Sequence, residues 1–239
     1  MINSSEFRYE LKRVFLIGVA LLLAACGSSG DGSNNANNNS APLDVTLSGS
    51  STNTDLWYQI DILPYEPLHD EELAALVLMR EEEKLARDVY LYLYEIWTQR
   101  IFNNIADAEQ AHMDAVLRLF EKYGLNDPAM DVPLGVFANP DLQGLYDMLT
   151  AKGTASVIDA LIVGATIEDL DIYDLQRQLA VVDNQDIILV FENLEKGSRN
   201  HMRAYSSRLA DLSVVYSPVY ISQEEYEAII NSEMETGAN

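Results

Sequence analysis

Ile101-Phe102-Asn103-Asn104-Ile105-Ala106-Asp107-Ala108-Glu109-Gln110-Ala111-His112-Met113-Asp114-Ala115 is echoed 89 residues later by Val190-Phe191-Glu192-Asn193-Leu194-Glu195-Lys196-Gly197-Ser198-Arg199-Asn200-His201-Met202-Arg203-Ala204. Phe, Asn, His, Met and Ala recur at matched positions. Both stretches read as helix, and each puts its histidine on the same helical face as the residue three before it. In the first copy that residue is Glu109, giving Glu-x-x-His; in the second it is Ser198. An acid at this spacing from a histidine is the unit with which helical bundles ligate paired metals.

Working outward, a helix is expected from Asp70, with Glu71 and Glu72 in its first turn, to about Trp97. The next runs from about Phe102 to Tyr123 and stops at Gly124. A connection of roughly 30 residues follows, far longer than a usual helix–helix loop. It holds Pro128, Pro133 and a short helix from Asn139 with Pro140 at its first position. A third long helix is expected from Thr154 or Ala155 to about Val181. A fourth runs from Gln185 to about Leu212, and a short one from Gln223 to Asn231. The fold class expected is all-α: a four-helix bundle with a long crossover between its second and third helices, plus short accessory helices. The repeat supports it, since Met79 to Leu91 lies on Gly164 to Gln176 at an offset of 85, matching Glu83 with Glu168. Each half is then a helical hairpin with an acid on one helix and a histidine unit on the other.

In that arrangement Glu83, Glu109, His112, Glu168 and His201 converge, with Asp171 one turn beyond Glu168 as a further carboxylate. Buried glutamates must be protonated, paired or coordinated. Carboxylates with neutral imidazoles suit a divalent metal, with iron first and manganese or zinc as alternatives. Tyr90, seven residues after Glu83, is placed to hydrogen-bond a ligating carboxylate. The same groups could instead form a metal-free polar network. Residues 56–69 are expected to be a lead-in strand or loop.

Glu82-Glu83-x-x-Ala86-x-x-x-Tyr90, Phe102 seven before Glu109-x-x-His112, Glu168, and Phe191 seven before Ser198-x-x-His201 resemble the ferritin-like superfamily. Within it, the runs Glu82 to Tyr90, Ile167 to Ile172 and Gly197 to His201 resemble the bacterial and archaeal domain-of-unknown-function family 2202, over about residues 70–222. The resemblance implies a ferritin-like bundle and a di-metal site, but no reaction. The superfamily pattern has a glutamate where Ser198 stands, so the donor set is one carboxylate short. One metal, or two with water filling the gap, is therefore as consistent as a standard di-iron pair. Glu195 is a substitute that could move in.

The chain has 239 residues, 48% of them hydrophobic, and a net charge of −23. That balance excludes nucleic acid as a partner, since phosphates demand a basic surface. Arg8, Lys12 and Arg13 precede the apolar run Val14 to Ala25, too short to span a bilayer comfortably. The sequence Leu23-Ala24-Ala25-Cys26 resembles a bacterial lipoprotein signal, which implies lipidation of Cys26 and a place outside the cytoplasm on a bacterial membrane, the outer membrane if the cell is Gram-negative. The division expected is a signal peptide at 1–25, a Ser/Gly/Asn tether at 26–55, the helical domain at 56–222, and a short helix with a polar tail at 223–239. A homodimer is compatible with this layout. Two functions remain open: a lipid-anchored metal protein with oxidoreductase or peroxide chemistry, and a non-catalytic metal-binding or interaction module.

Overall fold

In the computed structural model residues 50–236 are described, with side chains from residue 55. The signal, Cys26 and most of the tether lie outside the described residues. Those described form an all-α helical bundle: α1 (Ser50–Ile62), α2 (Asp70–Trp97), α3 (Arg100–Tyr123), α4 (Pro140–Gly153), α5 (Val157–Leu179), α6 (Gln185–Asp211) and α7 (Gln223–Ile230). The four long helices close into a ring: α2 packs on α3, α3 on α6, α6 on α5, and α5 on α2. The crossover helix α4 lies on α2 and α5, while α1 covers one end against α3 and α6.

Local chemistry sets the ends. Asp70 is the first helical residue; His69 precedes it, and the Glu72 carboxylate accepts the His69 N–H at 3.0 Å. The same carboxylate accepts from Asp183 and Asn184 N–H at 3.2 and 3.0 Å, so one buried acid satisfies orphan donors at two helix starts. Burial would raise its pKa, but these backbone bonds hold it below the ordinary range. Helix α3 stops at Gly124, whose φ of 67° favours glycine. Helix α5 starts at Val157, later than Thr154 or Ala155, because Ser156 caps it by accepting from Asp159 N–H at 3.0 Å.

Residues 50–62 are a helix, not the strand or loop expected from residue 56, and the helix begins inside the stretch read as tether. Leu56 and Ile60, one turn apart, are fully buried in the bundle end. Two anchors make too weak a stripe to read in sequence, and so short a helix is marginal alone. Docking decides its state.

The charges that interrupt the buried face of α2 are put to use in two directions. Glu83 points into the bundle. Arg80, Glu81 and Lys84 hold the crossover. Arg80 forks onto Asp127 at 2.9 and 2.8 Å. The Lys84 ammonium reaches Asp88 and the carbonyls of Pro133 and Val136, at 3.0 and 3.1 Å. The Glu81 carboxylate accepts from the N–H groups of Ala138 and Asn139 at the start of α4. A long loop is thus tied down by buried ionic contacts as well as by the packing of Phe137 in the core.

Two apolar clusters fill the bundle. One includes Val89, Leu93, Phe102, Ile105, Met202 and Tyr205; the other includes Leu76, Met79, Val116, Leu119, Phe191 and Leu194. On α2, α3 and α6 the residues between these clusters are Glu83, Glu109 with His112, and Ser198 with His201. The sequence therefore inserts a polar layer between two cores.

Candidate metal centre

The repeat-related histidines meet in that layer. Their rings stack with centroids 5.6 Å apart. His112 Nδ1 lies 3.1 Å from Glu83 Oε2 and 2.7 Å from Glu109 Oε2. His201 Nδ1 lies 2.9 Å from Glu109 Oε1 and 3.4 Å from Glu168 Oε2. Two donor groups result, Glu83–Glu109–His112 and Glu109–Glu168–His201, with Glu109 common to both. Each of the four long helices contributes a donor.

These contacts are short but mostly misaligned as hydrogen bonds. His112 Nδ1 with Glu83 Oε2 meets hydrogen-bond geometry. Glu83 Oε1, both Glu109 oxygens, Glu168 Oε2 and His201 Nδ1 are buried without a hydrogen-bond partner among the described residues. Buried polar atoms are normally satisfied, and each orphan costs about 1–3 kcal/mol. Buried acid and imidazole atoms that converge without satisfying one another suit a cation.

Electrostatics agree. Burial would raise the Glu109 carboxyl, yet the two imidazoles hold it well below the usual carboxylate range. Burial would lower both histidines, but the acids override it: His112 is pushed well up, and His201 to about 10. Burial pushes Glu83 up to about 8 although His112 opposes it. Glu168 is also raised by burial. Protons held on these groups stand where cations would otherwise balance the charge.

Tyr90 does what its position suggested: its hydroxyl donates to Glu168 Oε1, and it lies 3.3 Å from the Gly164 carbonyl. Its ring packs on Tyr205, whose centroid is 5.6 Å away. Ser198 is buried, but its hydroxyl donates to the Leu194 carbonyl at 3.1 Å and not into the donor groups. Glu195 does not substitute for it, being held by Arg199 at 2.9 Å and Gln176 at 3.1 Å.

Asp171 lies one turn beyond Glu168 on α5. It is buried with an unpartnered oxygen, yet it joins neither donor group. Its side chain is one methylene shorter than glutamate, and it sits about 4.5 Å further along the helix axis than Glu168. Burial, with Glu168, Glu83 and Glu109 facing it, pushes its carboxyl well above the ordinary range. Glu82 and Asp174 face each other across α2 and α5 as a second acid pair. Burial pushes Asp174 up to about 7 and Glu82 well above its ordinary value. A third acid–imidazole group, His69, Glu72 and Asp183, lies at the start of α2 and α6, but Glu72 is already committed to backbone donors.

Sequence reasoning passed over Gly197. A Cβ there would stand 2.5 Å from His112 Nε2 and 2.6 Å from its Cε1. The ring therefore rests on bare backbone of α6. A glycine inside a helix costs up to ~1 kcal/mol, and that cost was the available signal. Gly197→Ala is expected to swing the ring and weaken metal binding about 10- to 100-fold, as loss of a ligand's support does. Overpacking of about 1–3 kcal/mol outweighs the helix-propensity gain. Isothermal titration with zinc and a urea melt check the two parts; unchanged affinity would show that the ring has room to relax.

Residues 72–233 match the family described as "Uncharacterized protein domain (DUF2202)". The "Uncharacterized protein MJ0754" of Methanocaldococcus jannaschii is 56% identical over 180 residues, covering 75% of this chain and 97% of that one. The crystal structure of hypothetical protein MJ0754 from Methanococcus jannaschii superposes with a TM-score of 0.71, covering 72% of this chain and 99% of that one. Neither name carries an activity. The relative is archaeal, which argues against taking a bacterial source from the leader. Among the described residues no helix is long and apolar enough to cross a membrane. With the family matched over most of its length, the chain belongs to the DUF2202 family.

Proposed function

We propose that this domain is a metal protein holding two divalent ions, iron in preference to manganese or zinc, in the manner of a ferritin-like carboxylate bundle. The carrying observation is Glu109: each of its oxygens faces a different imidazole, and each imidazole faces a second acid, in a buried layer with unsatisfied donors. Glu83, Glu109 and His112 would hold one ion; Glu109, Glu168 and His201 the other. Mixed carboxylate and imidazole donors suit iron, manganese or zinc. When bound, an iron or manganese pair supplies one-electron chemistry toward dioxygen or peroxide. The chain's own residues exclude water with the two flanking cores, orient Glu168 through Tyr90, and give up protons to admit the cations.

One feature favours a second reading, a non-catalytic metal store or delivery module: Ser198 leaves the donor set one carboxylate short. The leader fits either reading. We infer from Arg8, Lys12, Arg13 and the apolar run before Cys26 that the domain is exported and tethered by lipid.

The test is elemental analysis of the chain purified without a histidine tag. About two equivalents of metal are expected, falling by about one in His112→Ala and in His201→Ala. Affinity should rise with pH, because the protons on Glu83, held to about 8, and His201, held to about 10, compete with the cation. Metal content unaltered by both substitutions would place the ions elsewhere. Peroxide consumption by the iron-loaded chain separates enzyme from carrier.

A further inference from the structure

The polar layer has a branch that the two donor groups do not use. On α5, Asp171 and Asp174 follow Glu168 at steps of three residues, so the acids form a row that moves along the helix by about 4.5 Å at each step. On α2, Glu82 stands next to Glu83 and faces Asp174 across the seam between the helices. Asp171 lies between, facing Glu82 on one side and Glu168, Glu83 and Glu109 on the other.

The row is buried, with Glu82 4% exposed and Asp171 and Asp174 each 2% exposed. Yet Glu82 Oε2, Asp171 Oδ2, Asp174 Oδ2 and Glu168 Oε2 all lack a hydrogen-bond partner among the described residues. Buried acids that serve the fold are handled otherwise. Glu72, Glu81 and Asp169 each accept backbone N–H groups at a helix start or a loop. Acids left unsatisfied at every step, and leading to the centre, suit an ion in passage.

Donor strength is graded along the row. The outer pair offers carboxylate oxygens alone, whereas each group at the centre adds an imidazole, which binds iron, manganese or zinc more firmly. A passage needs that order, because each stop must hold an ion well enough to admit it and weakly enough to release it. The outer end is covered by surface side chains. Arg177 is exposed and faces Asp174, with its guanidinium 5.4 Å above the Tyr173 ring and one nitrogen 3.0 Å from the Tyr173 hydroxyl. Tyr220, its ring 6.2 Å from that of Tyr173, faces both acids from the strap. Exposed side chains change rotamer within nanoseconds, so such a cover opens readily.

We propose that Glu82 and Asp174 form a port for divalent cations, from which an ion passes by way of Asp171 to Glu83 and Glu168. The port is a transit site of low affinity, and the net charge of −23 gathers cations toward it. The inference rests on the two-metal reading above.

A port sets rates and leaves end points alone. Cobalt(II), followed by its visible absorption, is mixed rapidly with the full metal-free chain and later withdrawn with excess EDTA. Glu82→Gln and Asp174→Asn keep the shape of each side chain and remove the charge offered to the ion. Each is expected to slow loading about tenfold. Withdrawal should slow by the same factor, with stoichiometry and affinity at wild-type values, because the barrier changes and the end states do not. Arg177→Ala, a change at the surface, removes a cation from the outer end and is expected to speed loading and withdrawal alike. Loading at the wild-type rate in both buried variants overturns the port, and places entry at the edge of His201, whose side chain is 13% exposed. Lost affinity with an unaltered loading rate makes the pair part of the binding groups, and overturns it as well. Should neither buried variant fold, the absence of any acceleration in Arg177→Ala overturns it. A wild-type chain that takes up no cobalt overturns the metal reading itself, so the two failures are distinguishable.

Discussion

Glu109→Ala is expected to abolish metal binding at both positions together, whereas His112→Ala and His201→Ala each remove one. The asymmetry follows from a single carboxylate lying 2.7 Å from one imidazole and 2.9 Å from the other. Breaking a buried charged contact costs about 3–5 kcal/mol, or roughly 10²- to 4 × 10³-fold in Kd, and here each ion loses the same ligand. Glu109→Gln keeps the shape and removes the charge, so it should lose metal nearly as completely while perturbing the fold less. Elemental analysis and zinc calorimetry read both variants. If Glu109→Gln retained full metal content, the shared carboxylate would be a structural partner of two imidazolium groups and the metal proposal would fall. The pairing would then be the metal-free network that the same atoms could form.

The other large effect is expected at Asp169, the residue after Glu168, which faces the strap rather than the imidazoles. Its carboxylate accepts the Tyr216 hydroxyl at 2.7 Å and the Ile221 N–H at 2.9 Å, and takes the Val219 and Tyr220 N–H groups as well. It gathers the strap between α6 and α7 onto α5, and so seats Tyr216 and Ile221 in the upper cluster. Asp169→Ala leaves several buried backbone donors without an acceptor. At about 1–3 kcal/mol per orphan, and allowing for relaxation, a loss of about 3–5 kcal/mol is expected by urea denaturation. Limited proteolysis should open first between residues 213 and 222. Asp169→Asn keeps one acceptor oxygen and should lose about half as much. A strap that stays protected in Asp169→Ala would show that apolar packing of Tyr216, Ile221 and Tyr226 holds it without the carboxylate.

Much of the centre was legible because its signals are local. Glu109 and His112 share a helical face by the i, i+3 rule, and the second copy of the pattern pointed His201 the same way. The 85-residue offset picked out Glu83 and Glu168 as partners. Tyr90 followed from its heptad distance to Glu83. Asp171 faces the same acids but joins neither donor group, since the rule fixes a face and not how far a short side chain reaches. Glu82 and Asp174 escaped notice because each looks like an ordinary surface acid until α2 and α5 are brought together. The lead-in helix α1 was missed because two buried residues, Leu56 and Ile60, make no visible stripe.

By itself the sequence determined the four long helices, the stop at Gly124, the duplicated hairpin and the face on which acids and imidazoles gather. All of these depend on residues within a few turns of one another or on exact repetition. Tertiary structure alone decided that Glu109 serves both histidines, that His112 rests on the backbone of Gly197, and that Arg80, Glu81 and Lys84 fasten the crossover. Those are distances between helices separated by tens of residues, set by how closely two backbones approach. A helix periodicity carries no information about that approach.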